Sequence, residues 1–171
     1  MKIFKYKIIF VVLTAFIAMK TSAQDYHSAI RLSSGTYWGA SYKKMLTQDN
    51  GVMLNLQAGQ KTLQLAALRI FHTPAFPSSS SKWFLGYGYG AHIAYHREIK
   101  SHNFFRPFAP PHVYKGHYVS PGIDGLISLE YRFLKYPFTL SGDFMPNFEF
   151  FGPEYFRMNM TNISFTFSFV L

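Results

Sequence analysis

Polar and apolar side chains alternate through eight segments of this chain, and that alternation constrains the fold more than any other feature. It is clearest at the end of the chain. Apolar residues fall on one face there, and small polar residues fall on the other: Ile163, Phe165, Phe167, Phe169 and Leu171 against Asn162, Ser164, Thr166 and Ser168. Because successive side chains of a strand point to opposite faces, a period of two predicts a β-strand with one polar and one apolar face.

The same period predicts seven further strands. They cover residues 28–34, 37–46, 52–58, 62–71, 83–96, 118–133 and 138–150. The faces of the fourth segment are ambiguous; we assign Leu68 and Ile70 to its apolar face and Arg69 to its polar face. No segment after residue 24 shows the period of an amphipathic helix. The chain is therefore predicted to be all-β.

The first 23 residues predict a secretory signal peptide. Lys2, Lys5 and Lys7 form a positive start, residues 8–19 are almost entirely apolar, and small residues precede Gln24. This order is typical of a signal peptide, and the apolar run is shorter than the roughly 20 residues of a membrane-spanning helix. We expect residues 1–23 to be removed and residues 24–171 to form one barrel domain. Loss of the four lysines of the leader lowers the formal net charge from +9 to +5.

Composition indicates which face of the strands points outward. A soluble lipocalin-type barrel carries apolar residues inside, whereas a transmembrane barrel carries them outside, against lipid. Charged residues make up only 15% of the chain, which is too few for a soluble surface. Aromatic residues make up 19% and would overfill the interior of a small barrel. The sequence predicts an eight-stranded antiparallel up-and-down transmembrane β-barrel, with a soluble carrier of a hydrophobic ligand as the alternative.

Several short motifs resemble the small outer-membrane β-barrel proteins of the Bacteroidetes type, which are similar to OmpX and the OmpA barrel. These motifs are Gly122-Ile123-Asp124-Gly125, residues 129–133, residues 140–146, Tyr42-Lys43-Lys44 and the glycines at 86, 88 and 90. The resemblance covers most of residues 26–171. It implies the outer membrane of a Gram-negative bacterium, contact with outer-membrane lipid, and insertion by the barrel-assembly machinery. Such barrels usually end in Phe, whereas this chain ends in Leu171.

The longest predicted connection is basic and aromatic. It spans residues 97–117, and an even strand number with a periplasmic N-terminus places it on the exterior, where such barrels have their longer loops. Basic and aromatic groups at a membrane rim suit anionic lipid head groups or a surface partner. The candidate contact residues are Arg97, Lys100, His102, Phe104, Phe105, Arg106 and Lys115. A solvated loop packed on its own aromatic side chains is the alternative.

Charged residues on the predicted polar faces should meet inside the barrel. They are Arg31, Lys43, Arg69, Asp124, Glu130, Arg132 and Asp143. Because buried charges must pair, we expect a salt-bridged plug that fills the interior. A proton or ion path is the alternative, which a filled eight-stranded interior disfavours.

The sequence offers little for catalysis. It has no cysteine, which excludes a disulfide, a thiol nucleophile and a thiolate metal site. Lipid A deacylases look similar in size and use His, Ser and an acid, but this chain has no His-x-Ser pair to share one face of a strand, and adjacent His27 and Ser28 point to opposite faces. No histidine spacing predicts a metal site, and phosphate-loop and dinucleotide motifs are absent. We expect a non-enzymatic monomer without a cofactor, metal or nucleic-acid partner; a lipid-modifying enzyme is the alternative.

Overall fold

Ten β-strands make up the regular structure of the part of the chain that the structure describes. The computed structural model describes residues 26–78, 80–101, 112–151 and 156–171, and the predicted signal peptide lies outside them. The strands are β1 (Ser28–Gly35), β2 (Trp38–Met45), β3 (Asn50–Ala58), β4 (Thr62–Phe76), β5 (Ser80–Ser101), β6 (His112–Arg132), β7 (Phe138–Phe144), β8 (Asn147–Phe150), β9 (Phe156–Asn159) and β10 (Ile163–Val170). Within the described ranges, no helix is long and apolar enough to cross a membrane.

These ten strands form a closed barrel of eight strands, because two of the barrel strands are each divided into two segments. β7 and β8 continue one register along β6 and form the seventh barrel strand, broken at Met145-Pro146, where proline has no amide for the ladder. β9 and β10 form the eighth. Each strand pairs antiparallel with its neighbours, and β1 pairs with β10 from Ala29–Val170 to Gly35–Ser164, which closes the sheet. The predicted eight-stranded antiparallel barrel is confirmed.

The register of the pairing fixes the dimensions of the barrel. We follow the paired residues from strand to strand around the barrel, starting at Leu32. In one direction this row reaches Pro121 on β6, and in the other it reaches Tyr131 on β6, an offset of ten residues. Such an offset over eight strands tilts the strands by about 40° from the barrel axis and gives a radius of about 8 Å. A barrel of this width is filled by its own side chains.

The two ends of the barrel differ. At one end, which we call the terminal rim, lie both ends of the barrel domain, Tyr26 and Leu171, and the connections at 46–49 and 133–137. The other end, which we call the hairpin rim, is dominated by β5 and β6. Within the described residues, β4 pairs with β5 only as far as Thr62 opposite His96.

Beyond that row, residues 97–101 and 112–117 extend past the neighbouring strands, and we call them the projecting hairpin.

The alternation in sequence becomes a polar interior and an apolar exterior. Buried inner residues include Asn55, Thr139, Ser141 and Thr166. Among the described residues, twenty-eight large apolar side chains are exposed, for example Leu32, Leu54, Ile127, Phe165 and Phe167. The predicted faces of seven of the eight strands are confirmed in this way.

The face assignment of β4 was wrong. Leu68 and Ile70 are buried inside the barrel and pack with Met53, Leu126 and Met145. The interior therefore contains an apolar cluster on the side of β3, β4 and β6. Because both faces of β4 carry apolar residues, its alternation cannot identify the inner face.

Two irregularities reverse the phase of the alternation. In β5, a register shift at Arg97 follows inward-facing His96, and the buried residue after it is Ile99. Between β9 and β10, residues 160–162 shift the pairing by one, so that inward positions change from odd-numbered Asn159 to even-numbered Asn162. Each extra residue is a β-bulge that re-aims the side chains after it.

Candidate functional site

Six of the seven charges predicted for the interior lie there. They are Arg31, Lys43, Asp124, Glu130, Arg132 and Asp143, all buried. They form two clusters and a pair between them. Strand order and register bring most of the paired residues together, whereas Arg132 and Glu130 are two residues apart on one strand.

Glu130 is the centre of the terminal cluster, which comprises Tyr26, Lys43, His72, Glu130 and Arg132. Its carboxylate accepts hydrogen bonds from Lys43 Nζ and Arg132 Nε, both at 2.7 Å. It also accepts from the Tyr26 hydroxyl, at 3.0 and 3.1 Å to its two oxygens. Arg132 Nη2 lies 3.2 Å from His72 Nδ1 and donates there, which requires that nitrogen to be unprotonated. One carboxylate thus compensates two buried cations.

Arg31 and Asp143 form an ion pair between the two clusters, with Nη2 2.7 Å from Oδ2. Asp143 also accepts hydrogen bonds from Ser128 at 2.5 Å and Thr166 at 2.6 Å. Arg31 donates in addition to Ser141 Oγ at 3.0 Å. The small hydroxyl residues of the polar face therefore satisfy the remaining lone pairs of a buried charge, as such charges require.

The hairpin cluster comprises His92, His96, Asp124, Glu149 and Arg157, near the hairpin rim. Glu149 Oε2 lies 3.0 Å from His96 Nε2 and 2.5 Å from Arg157 Nη2. Sequence analysis predicted Asp124 as an interior charge but did not predict this cluster, and it missed Arg157. The bulge after Asn159 hides the inward phase of β9, so no simple periodic signal identifies Arg157.

His96 links a hydroxyl to a carboxylate. Its Nδ1 lies 2.9 Å from Thr62 Oγ1, and its Nε2 faces Glu149. Arg157 Nη2 also lies 3.1 Å from Nε2. A carboxylate only accepts hydrogen bonds and a guanidinium only donates them, so Glu149 favours hydrogen on Nε2 and Arg157 opposes it. A hydroxyl, an imidazole and a carboxylate in this order are also the groups that activate a catalytic nucleophile. Here, however, the imidazole is 1% exposed and Arg157 neutralises the carboxylate, so the arrangement favours a structural network.

His92 and Asp124 are in contact without a directed hydrogen bond. His92 Nδ1 lies 2.9 Å from Asp124 Oδ1, yet neither ring nitrogen nor Asp124 Oδ2 has a partner with hydrogen-bond geometry. Gln64 Nε2 donates to Asp124 Oδ1 at 3.1 Å. The ring fits because Gly122 stands opposite it; a Cβ at Gly122 would overlap the His92 ring and the Phe148 carbonyl.

Tyr37 extends this network into the connection between β1 and β2. Asn159 Nδ2 donates to its hydroxyl at 3.4 Å. Burial raises the pKa of Tyr37, and the neighbouring charges of Arg157 and Glu149 act in opposite directions on it. The phenol therefore stays neutral at physiological pH.

The ion pairs balance along the barrel as a whole but not at each end. With neutral imidazoles, the terminal cluster has one more positive than negative group, and the hairpin cluster has one more negative than positive group. The pair of Arg31 and Asp143 is neutral. The interior thus acts as a salt-bridged filling with an electrostatic gradient along the barrel axis.

Arg69 lies outside the barrel, contrary to the prediction. Since Leu68 and Ile70 face inward, the period of two turns Arg69 outward. There its Nη2 donates to Asn50 Oδ1 at 2.7 Å, and its guanidinium lies 5.9 Å from the centre of the Phe71 ring.

The predicted exterior loop is shorter than expected. β5 continues to Ser101 and β6 begins at His112, so Arg97, Lys100 and Lys115 lie on strands. Beyond the rim both faces of a hairpin can meet water, so a strand there needs no alternation of polarity. The candidate residues His102, Phe104, Phe105 and Arg106 lie outside the described residues.

The projecting hairpin carries a basic surface. Arg97 and Lys115 are exposed, and Lys115 stands opposite Glu98 in the ladder. Glu98 forms an ion pair with Lys61 of the neighbouring connection. At its base, Tyr95 and His117 stack with ring centres 5.9 Å apart. Among the described residues, no group of three or more His, Asp or Glu side chains is arranged to hold a metal ion.

The barrel is similar to a solved structure, the N-terminal β-barrel domain of OprF from Pseudomonas aeruginosa. The TM-score is 0.59 with 14% sequence identity, and the match covers 85% of this chain and 98% of that one. At this identity the likeness shows a shared fold. No protein-family model and no curated protein matches the chain. The resemblance to the narrower Bacteroidetes group stays a prediction.

Loss of the central carboxylate should cost far more than loss of an exposed ion pair. Glu130→Gln removes the carboxylate that Lys43 and Arg132 share and is expected to lower the free energy of unfolding by about 3–5 kcal/mol. Lys61→Gln removes the partner of Glu98 at the rim and should cost about 0–1 kcal/mol. Urea titration of the refolded barrel measures both, and equal losses would contradict the buried role of Glu130.

The space at Gly122 can be tested with a second glycine. Gly122→Ala should displace the His92 ring and cost about 1–3 kcal/mol. Gly142→Ala is the control, because a Cβ there meets nothing within 4 Å, and its effect should stay within about 0.5 kcal/mol. The same titration, with imidazole NMR signals as a local probe, separates the two. An unchanged His92 signal in Gly122→Ala would refute the packing argument.

Proposed function

We propose that this chain is an integral outer-membrane protein without enzymatic activity, whose hairpin rim presents an interaction surface to the exterior. The observation that carries the membrane location is the outer wall of the barrel. Between the rims, the outward residues of the described strands are apolar or small, apart from Lys44 and Arg69. Water would disfavour so continuous an apolar surface, whereas lipid is its natural solvent.

The height of the apolar wall fits a bilayer. Along β5, the outward residues from Leu85 to Tyr95 span ten residues. At a rise of about 3.3 Å per residue and a tilt of about 40°, this corresponds to about 25 Å, the height of the apolar band in outer-membrane barrels. Aromatic residues flank the band, with Trp83, Tyr131 and Phe133 in contact towards the terminal rim.

The interior supports a structural role over the alternatives. A carrier of a hydrophobic ligand needs an apolar cavity, but this interior holds the ion pairs of Glu130, Asp143 and Glu149. An enzyme needs its base accessible to substrate, and His96 is buried. We propose that the barrel is a monomer, and that the barrel-assembly machinery engages the outward aromatic residues of β10.

The exterior surface suits acidic head groups. Both ends of the barrel domain lie at the terminal rim, which we assign to the periplasm, so the projecting hairpin faces outward. Arg97 and Lys115 are exposed there, just above the level of Tyr95. Exposed cations above an aromatic belt match anionic lipid head groups in both charge and depth.

The membrane location can be tested with two matched substitutions. Ile127 is 54% exposed on the outer wall, and Val113 is 46% exposed on the projecting hairpin. Ile127→Arg should destabilise the barrel in lipid vesicles by about 2–4 kcal/mol, because it places a charge in hydrocarbon. Val113→Arg should change the free energy of folding by less than about 0.5 kcal/mol. Heat-dependent gel mobility after folding into vesicles reports the folded fraction, and equal tolerance of both would argue against a membrane protein.

The basic surface has its own test. Arg97→Gln combined with Lys115→Gln should weaken binding of the folded barrel to vesicles of acidic lipid, and salt should weaken the binding of the unmodified protein. Lys135→Gln, in the connection at the terminal rim, serves as the control. Co-sedimentation with acidic and neutral vesicles measures the difference. Unchanged binding in the double variant would leave the hairpin as a solvated connection.

A further inference from the structure

Two cations stand on the otherwise apolar outer wall. Lys44 on β2 and Arg69 on β4 point away from the interior, since Lys43 and Leu68 beside them are buried. Neither forms an ion pair with an acid in the described part of the chain; Arg69 contacts the Asn50 amide and the Phe71 ring instead. A charge that faces lipid without a counter-charge among the described residues needs a counter-charge in the membrane.

Strand register brings the two cations into one site. Lys44 and Arg69 both pair with Val52 of β3, so they occupy the same row, one on each side of that strand. Two strand spacings separate their Cα atoms by about 10 Å. Both side chains are long and flexible, so their charged groups can converge on one group above Val52. Asn50 lies on the same outer face, nearer the rim.

The row lies close to the terminal rim. Val52 is two residues from Asn50, where the connection at 46–49 enters β3. Two residues of a tilted strand correspond to about 5 Å of height. That connection must lie outside the hydrocarbon. Arg69 stands opposite Tyr89, within the apolar band along β5, and its long side chain extends to Asn50 nearer the rim, so both cations reach the level of the lipid phosphates.

A groove continues from the cations towards the middle of the barrel wall. It is lined by Tyr42, Val52, Met53, Leu54, Ala67, Leu68 and Arg69. Ala67, two residues before Arg69 on β4, stands beside Ala91 of β5, and these small side chains form a depression beside Leu54. The groove therefore runs in the direction that an acyl chain takes from a head group at the rim.

We propose that Lys44 and Arg69 bind one anionic phospholipid of the periplasmic leaflet, with its phosphate between the two cations and an acyl chain over Ala67. Charge complementarity and the adjoining apolar groove select this occupant. A free anion would leave the groove empty, and a neutral lipid would leave the second cation unpaired. This inference rests on the membrane location proposed above, but not on the basic surface of the projecting hairpin.

The test counts lipids retained by the folded protein. The mature chain is folded into nanodiscs with equal amounts of phosphatidylglycerol and phosphatidylcholine, released into mild detergent, and examined by native mass spectrometry. The unmodified protein should retain one phosphatidylglycerol in preference to phosphatidylcholine. Lys44→Gln and Arg69→Gln should each weaken that preference about five-fold, and the double variant should abolish it. Lys135→Gln, exposed at the same rim, should behave as the unmodified protein.

Each outcome has a defined meaning. Heat-dependent gel mobility shows which variants are folded, and Arg69→Lys provides a charged replacement that should retain the preference if Arg69→Gln misfolds. Equal retention by the folded double variant would overturn the proposal, as would equal retention of both lipids by the unmodified protein. Displacement of the lipid by millimolar inorganic phosphate would show an anion site rather than a lipid site. Failure of the unmodified protein to enter nanodiscs would instead reject the membrane location.

Discussion

Closure of the sheet is the constraint on which the rest of the structure depends. An open edge leaves amide and carbonyl groups without partners, and a bilayer supplies none. Pairing of β1 with β10 removes that edge. The same closure fixes the offset of ten residues, and with it the tilt and the width of the barrel. The width of the barrel then limits which side chains fit inside it. The requirement that the sheet close its backbone hydrogen bonds therefore also limits which ion pairs the interior can hold.

Within that narrow interior, charge specifies structure. Lys43 and Glu130 are 87 residues apart in sequence, and Arg31 and Asp143 are 112 apart, yet each pair meets at 2.7 Å. Such contacts form only in one register, because a slip of one residue would turn each charge towards the apolar outer wall. The interior charges therefore stabilise the chosen strand pairing against its alternatives.

Sequence alternation predicted most of the fold, and its failures have physical causes. It identified all eight barrel strands and the faces of seven, since the wall of this barrel is apolar outside and polar inside. It failed at Arg69, because β4 packs Leu68 and Ile70 inside and is apolar on both faces. It ended β5 too early, because the projecting hairpin extends past the neighbouring strands, where both of its faces can meet water. The pairing of His96 with Glu149 and Arg157 depends on register between distant strands, which periodicity does not contain.

The bulges at Arg97 and at residues 160–162 show that the face to which a side chain points depends only on its position in an alternation of period two. One extra residue inside a strand turns every later side chain to the opposite face, until a second bulge restores the original phase. Arg157 and Asn159, at odd-numbered positions, face inward only because the phase of the alternation changes before Asn162. The strands of such a barrel can be lengthened by pairs of residues, or by single residues where a bulge restores the alternation of inward and outward side chains. Its rims, beyond the last paired row, are free to vary in length.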